Sequence, residues 1–176
     1  MNPENERMMR EIRWQELESK VEAIADQIEE KVDPGIKNAV VGLLANEVNT
    51  TASCEGHEDR GTHAPYIDVE AQDLSELLRA RDANPDNDEI LDQIKLKNAE
   101  EGAKLQALVS EFYEGREVST DAKLEIWKYD LGINRLQSRG AIEQEGVLPE
   151  VMVKNLKAYQ EEMSAFTEFL KRRFFK

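Results

Sequence analysis

Apolar residues recur at helical spacing along most of this chain, and the rhythm breaks between Val48 and Ala71. Upstream of the break, Trp14, Leu17, Val21, Ile24, Ile28 and Val32 fall on one stripe, which predicts a helix from Pro3 to about Val32. Glutamate and lysine fill the remaining positions, so the stripe is narrow and suited to packing against a second helix. Asp33-Pro34 ends it, because the residue before a proline avoids helical angles while proline is welcome at a helix start. Asp33 is the expected N-cap of a second helix, Pro34 to about Asn46. That helix carries Ile36, Val40, Val41, Leu43 and Leu44, is the most apolar in the chain, and belongs in the interior.

Within the break, Val48 to Gly56 is rich in β-branched and small residues. Tyr66 to Ala71 alternates Ile67 and Val69 with Tyr66, Asp68 and Glu70. Glu58 to Pro65 between them is turn chemistry. An antiparallel hairpin is the simplest arrangement, and two strands alone are marginal in water, so helices must cover one face. Downstream, Leu74, Leu77 and Leu78 mark a short helix ending before Asn84-Pro85. Ile90, Leu91, Ile94, Leu105, Leu108, Val109 and Phe112 mark a longer one, with Gly102 a candidate break. Ser119-Thr120-Asp121 caps an expected third helix containing Leu124, Ile126, Trp127 and Leu131. Gly140 to Pro149 reads as a loop, and a last helix from Pro149 carries Val153, Leu156, Met163, Phe166, Leu170 and Phe174.

The predicted fold is α+β and predominantly helical, with a small antiparallel β-hairpin packed on helices and long amphipathic helices flanking it. Three regions follow: residues 1–33, an N-terminal amphipathic helix; 34–83, a helix–hairpin–helix core; and 84–176, a C-terminal helical region. The long first and last helices are expected to pack on each other or to build a homodimer. Trp14 and Trp127 sit on apolar stripes as packing anchors, while Phe174 and Phe175 are candidates for docking on a partner.

Charge narrows the function classes. The net charge of -14, from 37 acidic against 23 basic residues, opposes a broad nucleic-acid face, which needs cations against phosphates. The tail Lys171-Arg172-Arg173-Phe174-Phe175-Lys176 is a local exception whose cations complement the C-terminal end of a helix. No stretch approaches the roughly 18 consecutive apolar residues of a membrane span. The N-terminus lacks the apolar run of a signal peptide, and a single cysteine forms no internal disulfide. The expected location is cytoplasmic.

The only cysteine and both histidines of the chain fall in the break, together with several carboxylates: Cys54, Glu55, His57, Asp59, His63, Asp68 and Glu70. Alternation along a strand puts Cys54 with the core set if Ile67 and Val69 face inward, leaving Glu55, His57, Asp68 and Glu70 on the open face. Gly56 permits a bulge or a positive φ that turns Cys54 and His57 toward one another. Three chemistries fit these residue types. Cys54, His57 and His63 supply a soft ligand and two imidazoles for a metal, with zinc or iron as candidate ions and the cofactor itself left open. Cys54 activated by His57 or His63 is a candidate catalytic nucleophile. Ser53, Glu55, Tyr66, Asp68 and Glu70 could instead line a polar pocket for a small ligand or a protein partner. A purely structural hairpin stands beside all three, since a lone cysteine is among the most commonly buried residues.

Asn49-Thr50-Thr51-Ala52-Ser53-Cys54-Glu55-Gly56-His57, followed by Pro65-Tyr66-Ile67, resembles a segment of small bacterial and phage proteins of unassigned function. They share a helix, then Thr-x-x-Ser-Cys-x-Gly-His, a short loop and a Pro-Tyr-Ile-like strand, and Asp33-Pro34-Gly35-Ile36-Lys37 resembles the start of the helix in some of them. More distantly, Ser53-Cys54-Glu55-Gly56 is similar to the Ser-Cys-Ser-Gly-Arg run of the tRNA wybutosine-synthesising methyltransferases, with His57 where those have arginine. The first resemblance implies a shared element around Cys54 and His57, and no activity.

Overall fold

The computed structural model describes residues 2–24, 31–59, 62–142 and 149–176. In chain order the elements are α1 (Pro3–Glu22), α2 (Pro34–Ala45), β1 (Thr50–Cys54), β2 (Tyr66–Val69), α3 (Ser75–Ala83), α4 (Asp88–Phe112), β3 (Leu124–Tyr129), β4 (Ile133–Ser138), α5 (Arg139–Ile142) and α6 (Pro149–Phe175). The fold is α+β and predominantly helical, as the periodicity predicts. Ile28, the Arg60-Gly61 part of the turn and residues 143–148 of the expected loop lie outside the described residues.

The expected hairpin is half of a four-stranded antiparallel sheet, ordered β1-β2-β4-β3. The other half comes from residues 124–138, where the sequence reading places a helix. Leu124, Trp127 and Leu131 do fit a helical stripe. Yet Leu124 and Ile126 also sit two apart, and the segment is rich in β-favouring Ile, Trp and Tyr. Asp130 and Gly132, at φ +43 and +84, make the turn that reverses the chain. Trp127 is consequently no core anchor: it lies opposite Arg135 and is 45% exposed.

One face of the sheet presents Ile67, Val69, Leu124 and Leu136 to α2, α4 and α6, which contribute Ile36, Leu43, Leu105, Phe112, Phe166 and Leu170 to the main core. Burying each such side chain stabilises by about 1.5–3 kcal/mol. α2 is buried on two sides, since its Val40, Val41 and Ala45 form a second cluster with Trp14 and Val21 of α1. α1 stops at Glu22, short of the expected Val32, with Ala23 as its C-cap. Trp14 and Val21 of its stripe are buried within the chain, with Trp14 against the rings of Phe174 and Phe175 at 5.8 and 5.6 Å, while Ile24 is 45% exposed. The first and last helices therefore pack together, and the C-terminal aromatics dock on their own N-terminal helix.

α4 passes Gly102 without a break. A Cβ there would run into the Asn134 side-chain amide, so the glycine serves close approach of β4. Buried polar groups of the same helix hold the sheet by its ends. Asn98 accepts from Ala71 N (2.9 Å) and donates to Leu131 O (3.1 Å), while Glu101 accepts from Asn49 N (2.7 Å).

Candidate metal centre

The end of β1 and the start of α2 are clasped by two reciprocal hydrogen bonds. Asp33 Oδ2 accepts from Glu55 N at 3.1 Å, and Glu55 Oε2 accepts from Gly35 N at 2.6 Å. Asp33 holds the N-cap position of α2, but its side chain makes no cap hydrogen bond. The carboxylate at that helix end is supplied by Glu55 from the sheet, where the helix dipole favours a negative group. Gly35 makes this approach feasible, because a Cβ on it would lie 2.6 Å from Glu55 Oε2.

Freed from capping, Asp33 faces His57, whose Nε2 stands 3.3 Å from Asp33 Oδ2. Gly56, at φ +78, bends the chain between Cys54 and His57, and its N–H donates to Cys54 Sγ at 3.4 Å. A left-handed residue here must be glycine for space as well as angle, since a Cβ would meet Leu156 and the backbone of Ala64 and Pro65 at 2.7–2.9 Å. Gln160 of α6 donates to the carbonyls of Glu55 and Gly56 at 3.1 and 3.2 Å. The outcome is that donor atoms of Asp33, Cys54 and His57 all lie within 4.8 Å of one another, each residue half-buried. Tetrahedral donors at bond lengths of about 2.0–2.3 Å stand roughly 3.3–3.8 Å apart, so small side-chain rotations would close the three around one ion. On the far side of the imidazole, Glu55 Oε1 lies 4.0 Å from His57 Nδ1, where a carboxylate orients a metal-ligating histidine.

His63 is not part of this trio. Its Nδ1 meets His57 O at 2.8 Å, helping to close the turn together with His57 N donating to Thr62 O at 2.9 Å. Asp33 takes the third place instead. Cys54 also departs from expectation: it pairs with Tyr66 across the β1–β2 register, and Ser53 pairs with Ile67. Cys54 therefore leaves the sheet on the face of Tyr66 and Asp68, while Ser53 is on the core side. The register slips between Thr50 and Ala52, and such an irregularity exchanges the faces that simple alternation assigns.

The remaining expected site residues separate. Asp68 is buried and fully engaged: Arg135 donates to it twice at 2.8 Å, and the Tyr129 hydroxyl once at 2.8 Å. Burial, followed by the hydrogen bond to Asp68, pushes Tyr129 up to about 12. Arg135 also lies 3.9 Å over the Tyr66 ring. Burial raises the Tyr66 phenol above its ordinary range, Arg135 opposes this, and Asp68, Cys54 and Asp33 add to it. Glu70 sits beyond the end of β2, its carboxyl pushed up first by burial, against a hydrogen bond from Asn98, and further by Asp130 and Asp68. It belongs to the α4 end of the sheet and not to the trio.

No known protein family, curated protein or solved structure matches the chain. Among the described residues, no helix is long and apolar enough to cross a membrane.

Proposed function

We propose that this protein binds a divalent transition metal through Asp33, Cys54 and His57, and presents it to a small ligand at the end of the hairpin. The observation that carries the reading is the convergence of three different ligand types within 4.8 Å. A thiolate with an imidazole and a carboxylate is a donor set that suits zinc. Among the described residues no fourth donor joins the trio, and three protein ligands with an exchangeable fourth position is the arrangement of zinc sites that bind ligands. Both imidazole nitrogens face carboxylates, Asp33 at 3.3 Å and Glu55 at 4.0 Å. That disfavours His57 as a base for the Cys54 thiol and leaves the nucleophile as the weaker alternative. A reduced thiol in the centre suits a reducing compartment, in keeping with a cytoplasmic protein.

Elemental analysis of the untagged protein tests the reading. About one zinc per chain is expected in the wild type and none in Cys54→Ser or His57→Ala, while His63→Ala keeps it. Absence of stoichiometric metal after zinc loading and desalting would remove the proposal. Native alkylation of Cys54 that zinc does not slow would count against it in favour of a free nucleophile.

A further inference from the structure

Tyr66 stands opposite Cys54 in the strand register, so the two side chains leave the same face of the sheet. Directly opposed residues on one face have Cβ atoms about 4.5–5.5 Å apart, which sets the Tyr66 ring beside Cys54. The ring is fixed by the Arg135 guanidinium 3.9 Å above it, and Arg135 is itself tied twice to Asp68. Among the described residues the Tyr66 hydroxyl has no hydrogen-bond partner. A half-buried phenol held beside a metal centre is a hydrogen-bond donor available to whatever fills the fourth coordination position.

That position demands a lone pair, and the phenol demands a second acceptor close to it. A carboxylate meets both requirements with its two oxygens. An amine binds a metal through its only lone pair and offers the phenol proton nothing. Asp33 and Cys54 cancel a divalent ion and the Arg135–Asp68 pair cancels itself, while Glu55 behind His57 leaves one negative charge, so an anion is held by the metal bond and the phenol and not by net charge. We propose that the ligand of this centre is a small carboxylate, with one oxygen on the metal and the other accepting from Tyr66, which makes Tyr66 its specificity-determining residue. This assignment rests on the metal reading above.

Cobalt-substituted protein separates the two. The thiolate–cobalt absorption of the wild type reports metal binding, and its change on adding acetate reports the ligand. Tyr66→Phe keeps the ring under Arg135 and should keep the cobalt spectrum, while weakening acetate about 10-fold or more, the scale of one hydrogen bond to a charged group. Imidazole, which offers no second acceptor, should bind both proteins alike. If the variant folds poorly, the wild-type tyrosine NMR signals carry the same test: one of the four tyrosines should shift at its hydroxyl-bearing carbon with acetate and not with imidazole. A cobalt spectrum that never forms would overturn the metal reading and this one with it. A spectrum that forms but ignores acetate, or acetate held equally by wild type and Tyr66→Phe, would overturn the carboxylate assignment alone.

Discussion

Two polar clusters lie on one sheet, one across β2, β3 and β4 and the other where β1 meets the start of α2, and they are built on opposite plans. Around Asp68 every demand is met: two bonds from Arg135 and one from Tyr129 satisfy a carboxylate with almost no exposure. Around Asp33 the groups converge with looser pairing: His57 Nε2 at 3.3 Å, Glu55 Oε1 4.0 Å from the other imidazole nitrogen, and a single 3.4 Å contact from Gly56 N to the Cys54 thiol. A closed network fixes a structure, because each member is costly to leave unpaired. An open one of ligating groups has room for a further partner. The contrast gives the first cluster to the fold and supports the proposal that the second binds.

The largest effect should come from breaking the closed cluster. Asp68→Ala strands Arg135 against two tyrosine rings and is expected to cost about 3–5 kcal/mol in urea unfolding. Metal-free Cys54→Ser should stay within about 1 kcal/mol of the wild type, because among the described residues its thiol accepts one weak hydrogen bond. Equal losses in the two variants would erase the distinction. Gly56→Ala comes next, at about 2–3 kcal/mol, since it forces a left-handed angle and a Cβ into the Ala64–Pro65 backbone. It should also abolish zinc binding by moving His57 away from Cys54, and a variant that keeps its zinc would show that the bend does not build the centre.

Glu55→Gln sharpens the comparison from the side of the open cluster. It retains an acceptor for Gly35 N but loses the charge behind His57, so zinc affinity should fall about 10–100-fold in a competition titration. No change would mean that Glu55 serves the helix end alone. The smallest effect belongs to Glu70, away from both clusters. Its folded-state carboxyl is pushed up by burial, so the folded state holds the proton more tightly than the unfolded state does. The linkage slope is then negative: the cost is absent below the unfolded carboxyl range and appears as pH rises through the raised folded one. Glu70→Gln should flatten that decline in stability curves measured across the acid range, with a gain at neutral pH of less than about 1 kcal/mol after solvent screening. A variant that loses stability at neutral pH would contradict the sign.

The helices and the Ser53–His57 segment were legible because their signals are local: stripes, proline starts, and a glycine between a thiol and an imidazole. β3 and β4 were not, since Leu124, Trp127 and Leu131 satisfy a helical period while Leu124 and Ile126 satisfy a strand. The turn residues Asp130 and Gly132, both left-handed, distinguish the two. Asp33 is the residue of the centre that local reading missed. It lies 21 positions before Cys54, and its setting before a proline explains it fully as a cap. Only the structure shows that Glu55 provides the carboxylate at that helix end and leaves Asp33 to face His57. His63 was drawn in by proximity along the chain, and the turn it closes has its own use for it.

The two tryptophans divide the molecule for an optical experiment. Trp14 is 6% exposed between the terminal helices and Trp127 is 45% exposed on the sheet face that carries Tyr66 and Arg135. A soluble quencher should therefore extinguish the red part of the emission first and spare the blue. Binding at the sheet and loosening of the helix pair would appear at different wavelengths, from a protein that carries both labels already.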